Sequence, residues 1–235
     1  MLNQEPTRDR DFHIACVSDT MAAGLVARWA TEADRTYAAG RPRSGASLLA
    51  LAALRALLFA VTRRTDWIVA RSPFGKPSVT PTGAQTGPSV SLSHTAGLIA
   101  VAVARGGEIG IDVERHRPRD FAALADQAFG PVEQQEVAAA GQEAFYRIWT
   151  VREAMAKATG DGLALVLNRY DLADGVASDR PNEREGWTLL HLLPEPGFSL
   201  GVAWSGGRSG VVPYRVDLGF LTGDRDNEDD ALHLV

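Results

Sequence analysis

The sequence predicts an α+β protein made of two pseudo-symmetric α+β halves, and three observations predict it. Apolar stripes at helical spacing alternate along the chain with short strands of period two, so neither element type is confined to one end. The segments 97–103 and 197–203 share one pattern, a glycine leading into a strand of small residues. A glycine pair, Gly106-Gly107, punctuates the chain between them and divides it into 1–106 and 107–223, followed by a tail at 224–235.

The first half opens with a strand at 12–17, a helix at about 20–39 and an apolar helix at 48–61, for which Ser44 or Ser47 is the expected cap. Arg55 interrupts that apolar run, which is too short to span a bilayer and so reads as a buried helix. Short strands follow at 66–71 and 90–92. The segment 98–104 alternates small and branched residues, and Gly106-Gly107 turns it into an acidic strand at 109–114, which is a hairpin signal. The second half holds helices at 121–128, 131–139 and 143–159, then strands at 170–172, 187–193 and 198–204. The acidic run 224–230 is expected to be disordered.

Composition narrows the function classes. With 235 residues, 45% of them hydrophobic, the chain can bury a core for one large domain or two small ones. A formal net charge of −5 argues against nucleic acid as the main partner. The single cysteine, Cys16, allows no internal disulfide and fits a reducing cytoplasm. Residues 1–11 lack the apolar core of a secretion signal, so the expectation is a cytoplasmic, monomeric protein without a membrane partner.

Chemistry concentrates in two segments. In Gly110-Ile111-Asp112-Val113-Glu114, strand alternation points Ile109, Ile111 and Val113 one way and Gly110, Asp112 and Glu114 the other. About 40 residues later, Trp149-Thr150-Val151-Arg152-Glu153-Ala154-Met155-Ala156-Lys157 reads as a helix. Its apolar stripe is Phe145, Ile148, Trp149, Met155 and Ala156, and Glu153 and Lys157 stand one turn apart on the flank. Docked by that stripe, the helix would bring Glu153 to the carboxylate face of the strand. Three carboxylates at one point repel each other and need a cation. Oxygen-only ligation by Asp112, Glu114 and Glu153 favours a hard ion, Mg2+ with Mn2+ as a substitute, which keeps positions open for phosphates. Lys157 suits a phosphate oxygen or developing negative charge. Taken alone, Glu153 and Lys157 also read as an ordinary surface pair, and Asp112 and Glu114 as a solvated strand face.

Four motifs in order resemble the Sfp-type 4'-phosphopantetheinyl transferases: Phe74-Gly75-Lys76-Pro77, then Val90-Ser91-Leu92-Ser93-His94-Thr95, then Gly110-Ile111-Asp112-Val113-Glu114, then Trp149-Thr150-Val151-Arg152-Glu153-Ala154 with Lys157. The resemblance covers roughly residues 35 to 205. It implies that family's fold, with the active site between the halves. It also implies transfer of the phosphopantetheine arm of coenzyme A to a serine of an acyl or peptidyl carrier protein, with Mg2+ and release of 3',5'-ADP. By the same resemblance Lys76, Ser93 and His94 meet the nucleotide, His94 at the 3'-phosphate, while Pro77 only shapes a turn. Ser47 matches a family hydroxyl residue at a helix start, a natural phosphate site. Two departures stand out. A His-Arg pair usual in the family is replaced by Arg41-Pro42-Arg43-Ser44-Gly45-Ala46, where Arg43 is the substitute, and Arg152 stands where a lysine is common.

Asp112, Glu153 and Lys157 are the catalytic residues this reading selects, with Glu153 as the base for the serine proton and a water on the metal as its competitor. Arg115, Arg117 and Arg119, followed by Phe121, Leu124 and Phe129, offer a local basic and apolar dock for an acidic carrier. Two other readings remain: a coenzyme A binding protein that has lost transfer, regulatory or scaffolding, and a different Mg2+-dependent phosphotransfer or phosphodiester-cleaving enzyme. The carrier's pathway, whether of fatty acid, polyketide, siderophore or other peptide synthesis, is not legible in the chain.

Overall fold

The structure, a computed structural model, describes residues 12–72, 75–160, 162, 182–184, 186–206, 214–215 and 217–219. Residues 1–11, Phe74, the expected strand at 170–172 and the acidic tail lie outside them. In chain order the elements are β1 (Phe12–Ser18), α1 (Ala22–Trp29), α2 (Glu32–Ala39), α3 (Ser44–Thr62), β2 (Trp67–Arg71), β3 (Pro77–Pro81), β4 (Ser89–Thr95), β5 (Leu98–Ala104) and β6 (Ile109–Arg115). They continue with α4 (Phe121–Ala128), α5 (Pro131–Ala140), α6 (Gln142–Thr159), β7 (Asn182–Arg184), β8 (Trp187–Leu192), β9 (Phe198–Trp204) and β10 (Tyr214–Arg215). This mixture of helices with largely antiparallel sheets is the α+β class expected.

Among the described residues two four-stranded sheets form, in the orders β10-β1-β5-β4 and β6-β9-β8-β7, beside a ribbon of β2 and β3. Strand alternation builds the layers. Ile99, Val101 and Val103 of β5 pack against α3, while Leu98, Ala100, Ala102 and Ala104 face Ile109, Ile111 and Val113 of β6 and the inner residues of β8 and β9. The outer face of the second sheet, with Leu189 and Ala203, is covered by Val151, Ala154, Met155 and Ala158 of α6. The layers therefore run α3, first sheet, second sheet, α6.

Several expectations are corrected by packing. The helix expected at 20–39 is broken in two: Thr31 accepts from the Asp34 N–H while the Asp34 carboxylate takes the Thr31 N–H, a capping box that starts α2 afresh. Asp34 is also drawn inward by Arg55, whose Nε donates to it at 2.6 Å. Neither Ser44 nor Ser47 caps α3; the N-cap is Arg43, in the left-handed region at φ 62. At 19 residues α3 is long and apolar enough to cross a membrane, more than its central apolar run suggested, yet it is mostly buried in the core. Pro77 does more than shape a turn, because it begins β3, opposite Arg71. Residues 98–104 and 109–114 do not form a hairpin. β5 pairs with β1 and β4, and β6 pairs with β9, so Gly106-Gly107 carries the chain from one sheet to the other.

The seam between the sheets is made by hydroxyl groups. Ser89, Ser91, Ser93 and Thr95, alternate residues on one face of β4, accept the backbone N–H groups of Ile109, Ile111, Val113 and Arg115 at 3.1, 3.1, 3.3 and 3.4 Å. Side chains replace carbonyls as the acceptors for one edge of β6, satisfying donors that would otherwise be buried unpaired.

Candidate functional site

The site forms where α6 crosses β6 beside this seam. The helix comes close because two glycines let it. A Cβ on Gly110 would lie 1.8 Å from the Ala154 carbonyl oxygen, and one on Gly201, the residue of β9 paired with Asp112, 2.3 Å from the Thr150 backbone. With the helix seated, Lys157 reaches Asp112: Nζ donates to Oδ1 at 2.6 Å and to the Ser93 hydroxyl at 2.9 Å. Ser93 in turn donates to the same Oδ1 at 2.8 Å. The other oxygen of Asp112, Oδ2, is buried and has no hydrogen-bond partner among the described residues. A buried carboxylate oxygen with free lone pairs costs energy unless something meets it.

Glu114 and Glu153 complete the acidic set electrostatically. Burial pushes the Glu114 carboxyl above its ordinary value, and repulsion from Asp112 and Glu153 adds to it, against the opposing charges of Lys157 and Arg119. Burial and Asp112 likewise push Glu153 up, opposed by Lys157. This donor chemistry fits a hard divalent cation. Among the described residues, however, no group of three His, Cys, Asp or Glu side chains is drawn together closely enough to hold a metal as it stands.

A second charge centre lies at the end of β4. Val90 and Leu92 point toward the α3 core, and His94 follows them on that face. Burial holds the His94 imidazole below its ordinary value, and the positive charges of Arg43 and Lys157 add to this. The strained backbone of Arg43 thus delivers a guanidinium near an imidazole at the start of α3, a cationic place for an anion. Ser47 is less well placed than the sequence implied. The helix begins three residues earlier, and the Ser47 N–H is committed to the Arg43 carbonyl at 3.1 Å.

A cavity of about 420 Å3 is lined by Lys76, Ser91, Leu92, Glu153, Lys157 and Arg71, among others. Lys76 lines it, but its ammonium is taken by Glu108 at 2.6 Å and by the Ala158 carbonyl at the end of α6. Arg71 was missed by sequence reasoning, which saw only the end of a strand. It stacks over Tyr37 at 4.8 Å, with Arg41 over the same ring at 4.2 Å, and burial followed by the Arg41 charge lowers its pKa. Arg152 lies elsewhere: it is 1% exposed and pairs with the equally buried Glu133 of α5 at 2.6 Å. Phe129 and Leu124 are likewise absorbed into the α4–α6 core, leaving Arg115, Arg117 and Arg119 as the exposed part of the expected dock.

Residues 108–190 match the 4'-phosphopantetheinyl transferase superfamily. The 4'-phosphopantetheinyl transferase HetI of Nostoc sp. is 35% identical over 140 residues, covering 56% of this chain and 58% of the relative. AcpT of Salmonella typhi is 36% identical over 118 residues (42% and 60%), and psf-1 of Bacillus pumilus 33% over 120 (48% and 51%), both also named as 4'-phosphopantetheinyl transferases. The chain spans between half and three-fifths of the length of these three relatives.

Proposed function

We propose that the protein transfers the 4'-phosphopantetheine arm of coenzyme A to a serine of an acyl or peptidyl carrier protein, a reading supported by the match of residues 108–190 to the 4'-phosphopantetheinyl transferase superfamily and by the likeness to HetI. One observation carries this most: the buried, half-satisfied Asp112 carboxylate shared with Lys157, with Glu114 and Glu153 repelled by it, next to a cavity that Glu153 and Lys157 line. That is what phosphate chemistry with a cation requires. Mg2+ is the proposed ion, and Asp112, Glu114 and Glu153 would hold it; when bound it offsets charge on the pyrophosphate.

The chain's own residues supply the rest. The carrier serine oxygen forms a bond to the β-phosphorus, the bond from that phosphorus to the bridging oxygen breaks, and 3',5'-ADP departs. Glu153, which lines the cavity beside Lys157, takes the serine proton. Lys157 neutralises the charge that grows as the bond breaks. Arg43 and His94 receive the 3'-phosphate, and Arg71 adds a cation in the cavity that Glu153 and Lys157 line. The exposed Arg115, Arg117 and Arg119 face an acidic carrier, and the charge of Arg119 reaches Glu114, so docking lies next to the chemistry. A cytoplasmic, monomeric protein is part of the same proposal.

The test incubates the protein with apo carriers of fatty acid, polyketide and peptide type, coenzyme A and Mg2+, and weighs the intact carrier. One added phosphopantetheine on any of them, absent with Asp112→Ala, is the expected result; unchanged mass on all would overturn the proposal.

A further inference from the structure

We propose that Ser93 is a positioning residue for the cation site and not a contact to the nucleotide. The inference shares with the transferase reading only the cation held by Asp112, Glu114 and Glu153. A hydroxyl has one hydrogen to give and two lone pairs to receive. In Ser93 all three are spent: the O–H goes to Asp112 Oδ1 at 2.8 Å, and the oxygen receives Lys157 Nζ at 2.9 Å and the Val113 N–H at 3.3 Å. The residue is 7% exposed. To donate to a phosphate it would have to abandon Asp112 inside the protein.

Its effect is on Asp112. Oδ1 receives both the Ser93 hydroxyl and the Lys157 ammonium, so the carboxylate is fixed in rotation and the free, buried lone pairs are those of Oδ2. Two bonds on one oxygen present the other to a cation, which is how groups behind a metal ligand tune affinity. The neighbouring rungs of the seam isolate this role. Thr95 accepts the Arg115 N–H as Ser93 accepts that of Val113, yet Ser93 is the rung bonded to Asp112 and Lys157.

The experiment measures Mn2+ affinity and, separately in EDTA, coenzyme A affinity, for the full chain and for Ser93→Ala, Ser93→Thr and Thr95→Val, each with a thermal melt. Ser93→Ala should bind Mn2+ about 10- to 100-fold more weakly while coenzyme A binding in EDTA is unchanged. Ser93→Thr, which keeps the hydroxyl in a rung that Thr95 shows a threonine can fill, should restore Mn2+ binding. Thr95→Val should leave it as in the unaltered protein. Should Ser93→Ala fail to fold, Ser93→Cys, similar in size but a poor donor, is measured instead and should show the same loss. Equal Mn2+ affinity with and without the hydroxyl overturns the proposal. So does a loss confined to coenzyme A, a comparable Mn2+ loss in Thr95→Val, or no Mn2+ binding by the unaltered protein. If that protein binds Mn2+ in a Ser93-dependent way but loads no carrier, the transferase reading falls and this one stands.

Discussion

Gly110→Ala puts the close approach of α6 to β6 to a direct test. The added methyl would lie 1.8 Å from the Ala154 carbonyl oxygen and 2.6 Å from the Ala158 nitrogen. Ordinary contact begins at 3.4 Å, so the nearest approach falls short by about 1.6 Å, which is 3.4 less 1.8. Both obstacles are helix backbone and cannot swing aside as a side-chain tip would. Overpacking of this kind costs roughly 1–3 kcal/mol, and rigid neighbours favour the upper end. Lys157 lies between Ala154 and Ala158 on that helix, and its contact to Asp112 is 2.6 Å. A retreat of the helix by the full shortfall carries this contact beyond hydrogen-bond range. Misplacement by about 1 Å is worth on the order of 100-fold in rate. Urea unfolding gives the first quantity and single-turnover loading of a carrier the second. Gly40→Ala serves as control, because its φ of −84 suits any residue and nothing lies within 4 Å of its Cβ. Stability within about 0.5 kcal/mol of the parent together with unimpaired loading would refute the argument, since α6 would then not be pressed on β6 as described.

Three further outcomes are expected. Lys157→Ala should lower turnover roughly 100-fold or more while coenzyme A affinity changes little, because its interaction is strongest as charge develops; intact loading beside a lowered melt would return Lys157 to a merely structural role. His94, held below its ordinary pKa by burial, Arg43 and Lys157, should gain a proton when a 3'-phosphate dianion binds beside it, since the anion raises the pKa of the imidazole. Coenzyme A affinity should therefore strengthen as pH falls through the imidazole range, and the slope should vanish for 3'-dephospho-coenzyme A and for His94→Gln; calorimetric titrations across pH check the sign. Glu133→Gln, which weakens the buried partner of Arg152, should cost about 3–5 kcal/mol. The double replacement Glu133→Leu with Arg152→Met should recover most of it in urea unfolding, as hydrophobic pairs of similar volume often do.

Local periodicity in the chain was enough to determine many elements and the faces they present. α4, β5 and β9 fall on the residues expected, and α5 and α6 within one residue, because an apolar stripe or a run of small residues has to be buried whichever neighbour buries it. The alternation of β6 alone put Gly110, Asp112 and Glu114 on one side, and the side proved to be the one α6 covers. What lies opposite a face is decided elsewhere in the chain. Arg152 and Lys157 are two cations five residues apart on one helix, and the sequence placed both in one motif; tertiary packing turned Arg152 into Glu133 and Lys157 onto Asp112. Lys76 was given a nucleotide, but Glu108, 32 residues on, holds it. Ser93 was given the same ligand, yet its three bonds go to β6 and α6. Hydrophobic pattern is read within a few neighbouring residues. The partner of a buried polar group is chosen by whichever distant donor or acceptor packing brings within about 3 Å, and that choice exists only once the layers have closed.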